Sequence, residues 1–262
     1  MRTTWKGAIS FGLVAIPVKA YTATEERDVA FHQVHRDDGG RIKYQRTCTV
    51  CSETVAYSDI AKGYELDDGS TVILTDDDLA DLPLPTKHTI DVRSFVPADQ
   101  VDSMYFNRSY YLEPDAAGRK PYALLREALA QSNRAALVKI ALRTREQLAL
   151  VRAHGDALVL ETMLWPDEVR GTESLELPGA DVDLRDEERA MASSLVTAMS
   201  DDFHPEEFSD DYRAALLAVI DAKVAGREVV APEAAPETGG VVDLMAALQA
   251  SVDAARQARE SA

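Results

Sequence analysis

The stretch RAALVKIALRTREQLALVR, Arg134 to Arg152, has the period of an extended chain: Val138, Ile140 and Leu142 fall on one side, and Lys139, Ala141, Arg143 and Arg145 on the other. One face is apolar and the other cationic. Alternation of this kind predicts a strand that closes a core with one face and presents the other to water or to a polyanion. Polar joints divide the region into three strands, VKIALRT, QLALVRAH and DALVLETM. Just ahead of them RKPYALLREALAQS changes to helical period, with Leu124, Leu125 and Leu129 on one face.

Strand signals continue toward the N-terminus. ISFGLVAIPVKAY reads as a strand pair or bent strand around Gly12 and Pro17. DVAFHQVH and RIKYQRT flank RDDGG, a hairpin signal with glycines where positive φ is needed. GYEL and TVILT flank a second turn, DDGS, and DVRSFVP and SMYFNRSYYLEP are further strands. Many short strands with one helix predict an α+β chain built on a barrel or strongly curved sheet. From about residue 183 the period becomes helical. DEERAMASSLVTAMS aligns Met191, Leu195, Val196 and Met199, and PEEFSDDYRAALLAVIDAKVAG aligns Tyr212, Leu216, Ile220 and Val224, with Pro205 as a start signal and Gly226 as a stop. These stripes have little sequence between them to pack on, which suits an arm that docks elsewhere. GREVVAPEAAPETGG is a linker, and VVDLMAALQASVDAARQARE a terminal amphipathic helix with Leu244, Leu248 and Val252 in line and no evident docking surface in the chain.

The whole sequence of 262 residues carries a formal charge of −17, and that charge is segregated. Residues 1–46 sum to +3, 47–118 to −10, 119–152 to +6 and 153–262 to −16. Overall acidity argues against indiscriminate polyanion binding, yet two basic islands can hold one if the fold gathers them. The longest apolar run, Ala8 to Val18, is too short for a bilayer and contains Pro17, so it is read as buried strand, with no membrane partner. Two cysteines spaced Cys48-x-x-Cys51 indicate a reducing compartment, the cytoplasm or nucleoid.

Signatures of catalysis are sparse: no Gly-rich phosphate loop, nucleophile elbow or lone cysteine with distant His and Asn. Asp76, Asp77 and Asp78 offer a magnesium site for a nuclease, but they follow Thr75 and precede Leu79 and Leu82, which reads as the acidic first turn of a short helix. Cys48 and Cys51 with His32 and His35 have zinc-ligand chemistry. A hairpin turning near Asp38 and Gly39 places His32 about 10 Å and His35 about 20 Å along the ladder from Cys48, so both histidines cannot join both cysteines. A site shared between the cysteine pairs of two chains remains open, as does a plain pair of thiols.

Several long segments then carry a family resemblance: WKGAISFGLVAIPVKAYTATEERDVAFHQVH (Trp5 to His35), GGRIKYQRTCTVC (Gly39 to Cys51), DIAKGYEL (Asp59 to Leu66), YYLEPDAAGRKPYALLREAL (Tyr110 to Leu129), LETMLWPDEVR (Leu160 to Arg170) and the terminal VVDLMAALQASV. The chain resembles the bacterial Ku proteins of non-homologous end joining nearly end to end. The resemblance implies a homodimeric ring threaded onto double-stranded DNA ends. It implies a β-barrel core with a DNA-arching bridge over residues 1–182, a helical dimerisation arm over 183–225, a linker over 226–240 and a partner-recruiting helix over 241–262. By the same resemblance that helix, through Leu244, Leu248 and Val252, is expected to recruit the ATP-dependent end-joining DNA ligase, with no cofactor required and zinc an open option. The sequence starts at the barrel without a preceding von Willebrand-like domain, and it stops at Ala262 after Arg256 and Arg259 without the lysine-rich tail of many relatives. Combined with the charge pattern, the resemblance predicts that Arg36, Arg41, Lys43 and Arg46 of the hairpin, with Lys139, Arg143, Arg145 and Arg152, line the ring. Phosphate contacts of this type carry affinity without sequence information. The alternatives are a metal-dependent nuclease or lyase acting on DNA ends through the Asp triplet or Lys6, and a zinc-knuckle regulator that reads sequence.

Overall fold

A computed structural model describes residues 1–80, 86, 88–142, 145–179, 182–227 and 244–261. The first two strands, β1 (Thr3–Phe11) and β2 (Val14–Thr22), form a hairpin whose two-residue turn is headed by Gly12 at φ +57°, a conformation that favours glycine. The strand-pair reading of this segment is the observed one. Further along come the small hairpin of β3 (Lys62–Glu65) and β4 (Thr71–Leu74), the one-turn helix α1 (Asp76–Ala80), and strands β5 (Thr89–Pro97) and β6 (Phe106–Pro114). Helix α2 (Arg119–Ser132) leads into β7 (Arg134–Leu142), β8 (Arg145–His154) and β9 (Ala157–Met163).

Seven strands close into a barrel in the order β1-β2-β6-β9-β8-β7-β5, and the parallel pairing of β5 with β1 completes the circle. Closure leaves no free edge in this sheet. The alternation along Arg134 to Arg152 is what permits it. Ala136, Val138 and Ile140 of β7, with Ala149 and Val151 of β8, point into one core together with Ile9, Ile16, Val18, Leu158 and Leu160. The alternate residues Ala135 and Leu150 join Met163 in a second cluster, flanked by Leu137, Leu148, Val96 and Phe106. These strands are therefore covered on both faces over much of their length, which explains why β9 is buried almost throughout.

Helix α2 spans the predicted RKPYALLREALAQS, but its buried face is Tyr122, Leu125 and Leu129. Leu124 is corrected: at 59% exposure it lies in an apolar groove with Phe11, Val14 and Phe95. One helical step of 100° separates it from Leu125 and carries it off the stripe of Tyr122, Leu125 and Leu129. The Tyr122 hydroxyl donates to Leu112 O at 2.7 Å and accepts from Leu158 N–H at 2.6 Å, so the helix is pinned to β6 and β9.

Two compact units divide the chain, Met1–Arg27 with Phe31–Gly171, and Asp28–Ala30 with Thr172–Ala262. The second contains α3 (Asp186–Ala198), α4 (Asp211–Val224) and α5 (Leu244–Ser261). Pro205 opens a single 3-10 turn and not α4. Asp210 makes the cap, its carboxylate accepting Arg213 N–H at 2.9 Å, and Gly226 at φ +64° follows the helix end. The Pro- and Glu-rich linker lies almost wholly outside the described residues.

Candidate nucleic-acid interface

Residues 30–73 are exposed throughout except Cys48 and Val55, which are half-buried. Their first part is a three-segment ribbon. Val34 bridges Arg41 and Thr47 bridges Thr54, so segment 40–48 is shared by two hairpins whose turns lie at its opposite ends. The expected strands DVAFHQVH and RIKYQRT are thus held by isolated bridges and single bonds such as His35 N–H to Gly40 O at 2.7 Å. In the first turn Asp38 accepts the Gly40 N–H at 2.8 Å and faces His35 at 3.0 Å; these bonds hold its carboxyl below the ordinary carboxylate range.

Arg36, Arg41, Lys43 and Arg46 all sit on this ribbon and are exposed. None is within ion-pair distance of a carboxylate among the described residues, and Arg46 stacks 5.3 Å from the centre of the Tyr57 ring. Tyr44, whose hydroxyl donates to the Gln33 side chain, is also exposed. The ribbon therefore presents four cations and exposed aromatic side chains to solvent, beside Asp37 and Asp38 at its first turn and Glu53 near its second.

The barrel cations differ from these, because two of them are ion-paired within the chain. Lys139 Nζ lies 3.0 Å from Glu146 Oε2 and 5.3 Å from the centre of the Trp165 ring. That bond, joined by Thr86 Oγ1 at 3.1 Å, holds the Glu146 carboxyl below its ordinary range. Arg152 grips Glu161 through Nε at 2.7 Å and Nη2 at 2.8 Å. Register is the reason. Lys139 pairs with Leu148 and Arg152 with Val159, which puts Glu146 and Glu161 two residues along the neighbouring strand on the same face, in diagonal reach. These two cations stabilise the barrel in the single chain. Arg145 opens β8 opposite Leu142 and is exposed, whereas Arg143 lies outside the described residues. The signal that sequence reading passed over was in the same strands: Glu146 and Glu161 have the parity that register turns into partners.

The Asp triplet forms the first turn of α1, as expected. Asp78 accepts from Thr75 N–H at 2.8 Å and Thr75 Oγ1 at 2.6 Å, while Asp78 N–H donates to Thr75 Oγ1 at 3.3 Å. This reciprocal cap gives Asp78 a structural role at the start of the helix. Cys48 and Cys51 flank the second ribbon turn, and no cluster of three or more metal-ligating side chains occurs among the described residues. Val252 of the terminal helix is 2% exposed, and α5 packs on α3. The expectation that its stripe has no docking surface in the chain is corrected: Met191 of α3, with Met245 and Val252 of α5, line one cleft. Leu248 is half-buried, and the side chain of Leu244 lies outside the described residues.

The profile of the Ku70/Ku80 beta-barrel domain matches residues 10–193, which contain β2 through β9 and the first part of α3. The chain belongs to the Ku family. Similar Ku relatives run nearly its whole length. The non-homologous end joining protein Ku of Frankia casuarinae is 60% identical over 259 residues, covering 99% of this chain and 65% of the relative. Non-homologous end joining protein Ku 2 of Saccharopolyspora erythraea is 52% identical, covering 100% of this chain and 86% of its own. The Mycobacterium tuberculosis Ku protein is 43% identical over 271 residues, covering 100% and 98%. The Ku chain thus spans just under two thirds of the Frankia relative and nearly all of the mycobacterial one. No helix among the described residues is long and apolar enough to cross a membrane.

Proposed function

We propose that two copies of this chain form a ring that threads onto free ends of double-stranded DNA, without catalysis and without reading sequence, in repair by non-homologous end joining. The names of the Ku relatives support the pathway. The observation that carries the binding mode is the exposed ribbon bearing Arg36, Arg41, Lys43 and Arg46, none of them ion-paired with a carboxylate among the described residues, in a chain of net charge −17. Cations without internal partners neutralise phosphates at little cost, and the acidic remainder disfavours side-on binding. Arg145 adds to this surface in our reading, and Arg143 is assigned to it on sequence alone. A closed ring leaves DNA only by an end, so a long lifetime does not require many tight contacts. The C-terminal helix recruits the ATP-dependent end-joining DNA ligase, and the site of action is the bacterial nucleoid.

The test compares linear DNA with covalently closed circular DNA of the same sequence in a gel shift. Retention on the linear form and weak retention on the circle are expected. Equal affinity for both forms would overturn the ring.

A further inference from the structure

We infer that the ribbon carries a second nucleic-acid site on the face opposite Arg41 and Lys43: a row formed by Phe31, Tyr44 and Tyr57 that stacks the unpaired bases of a single-stranded overhang at a DNA end; the inference rests on the reading above that the ribbon meets DNA. Register builds the row. In the first hairpin His35 N–H donates to Gly40 O at 2.7 Å and Ile42 N–H to Gln33 O at 3.0 Å, on either side of the Val34–Arg41 bridge. Gln33 is thus paired with Ile42, and a step of two along each segment brings Phe31 opposite Tyr44. In the second hairpin Val55 N–H donates to Arg46 O at 2.8 Å beside the Thr47–Thr54 bridge, so Arg46 pairs with Val55 and the same step brings Tyr44 opposite Tyr57.

Steps of two keep a side chain on its face, so the rings of Phe31, Tyr44 and Tyr57 share one side of the ribbon. Two diagonal contacts between segments agree with that placement. The Tyr44 hydroxyl donates to the Gln33 side chain, and the Arg46 guanidinium lies 5.3 Å from the centre of the Tyr57 ring. Arg41 and Lys43, one residue out of step with Tyr44 and Ile42, take the other face.

The rings are 68%, 79% and 78% exposed in chain order, an aromatic surface with water on it. Every nucleobase has a flat face, and aromatic side chains stack on any of them, which holds a single strand without reading its sequence. Charge favours a nucleic acid over an apolar protein surface as the occupant. Arg46 borders the row with no carboxylate in ion-pair distance among the described residues, and a guanidinium there meets the phosphates of the strand whose bases cover the rings. With neighbouring segments about 4.8 Å apart the row spans about 10 Å, so it engages a few nucleotides and not a long strand. Bases inside a duplex have no free face. The duplex therefore meets the cationic side of the ribbon through phosphates, and an overhang passing the ribbon's edge meets the aromatic side through bases.

The experiment measures the affinity of the full chain for duplexes of one sequence that end blunt, in a run of unpaired adenines, or in a run of abasic nucleotides with the same phosphates. Binding to the adenine overhang is expected to be tighter than to either other end, by about fivefold or more. Tyr44→Ala should erase that increment and leave the blunt-end affinity, its salt slope and the light-scattering mass unchanged. Tyr44→Phe should keep the increment, because the ring stacks and the hydroxyl does not. Equal affinity for adenine and abasic overhangs overturns the base site and leaves phosphate binding by the ribbon standing. A Tyr44→Ala chain that becomes monomeric, or that loses blunt and overhanging ends alike, overturns it as well and gives the row to a contact between copies. Failure of the ring reading is seen separately, in blunt linear DNA held no better than the closed circle.

Discussion

Arg152 and Arg41 show how identical chemistry divides between fold and function. Arg152 is held by both oxygens of Glu161, whose side chain is only 12% exposed, whereas Arg41 on the ribbon has no carboxylate partner among the described residues. Replacing Arg152 with Ala leaves a largely buried carboxylate short of its donors, a loss of about 1–3 kcal/mol. The melting temperature should fall, while the slope of log affinity for DNA ends against log salt stays put. Arg41→Ala should do the reverse: melting is nearly unchanged because an exposed charge contributes little, and the slope becomes shallower by roughly 0.9 if one phosphate contact is lost. Thermal melts and salt titrations of the two variants check the division. A flattened salt slope for Arg152→Ala with intact melting would return that arginine to the DNA surface.

Helix α5 was readable as an amphipathic helix, but its partner was not. The stripe that ends in Val252 packs on α3 of its own chain, so the apolar face proposed to recruit the ligase is partly occupied. Both helices are short, and stripes of this kind are stabilised chiefly by tertiary packing. A Val252→Asp change should release α5, seen as faster amide exchange over residues 244–257, with the barrel melting as before because the two belong to different compact units. Removing residues 241–262 should leave end binding intact and abolish stimulation of the ligase. If Val252→Asp left exchange in α5 unchanged, the contact with α3 would not be what orders the helix.

Exposed apolar side chains occur on both compact units, and the ribbon and α4 each carry several. Phe31, Tyr44, Val50 and Tyr57 are exposed on the former, while α4 buries no residue and shows Tyr212 at 78% and Val224 at 83%. Surface of this extent on α4 suits an interface between copies. Shortening the chain to residues 1–179 removes α3, α4 and α5 and tests how much of that interface the helices supply. Light scattering should report a monomer. A stable dimer of the shortened chain would place the interface in the barrel and ribbon alone.

Local pattern determined the elements. Alternation along Arg134 to Arg152 defined β7 and β8, helical period defined α2 through α5, and glycines at Gly12, Gly39 and Gly69 marked turns where φ is positive. The acidic cap at Thr75 and Asp78 was legible because capping acts over three residues. The charge islands marked where a polyanion surface had to be sought, and the quoted segments pointed to the family. Tertiary structure alone decided which cations remain available. Lys139 and Arg152 belong with Arg145 to one basic island of the sequence, yet strand register placed Glu146 and Glu161 beside the first two and left the third exposed. Leu124 and Val252 exchanged expected places for the same reason, since burial depends on what a neighbouring element covers and not on the residue's own pattern. Sequence fixes periodicity through local sterics and solvation; pairing across strands and between helices depends on contacts far apart along the chain, where one residue of register reverses a face.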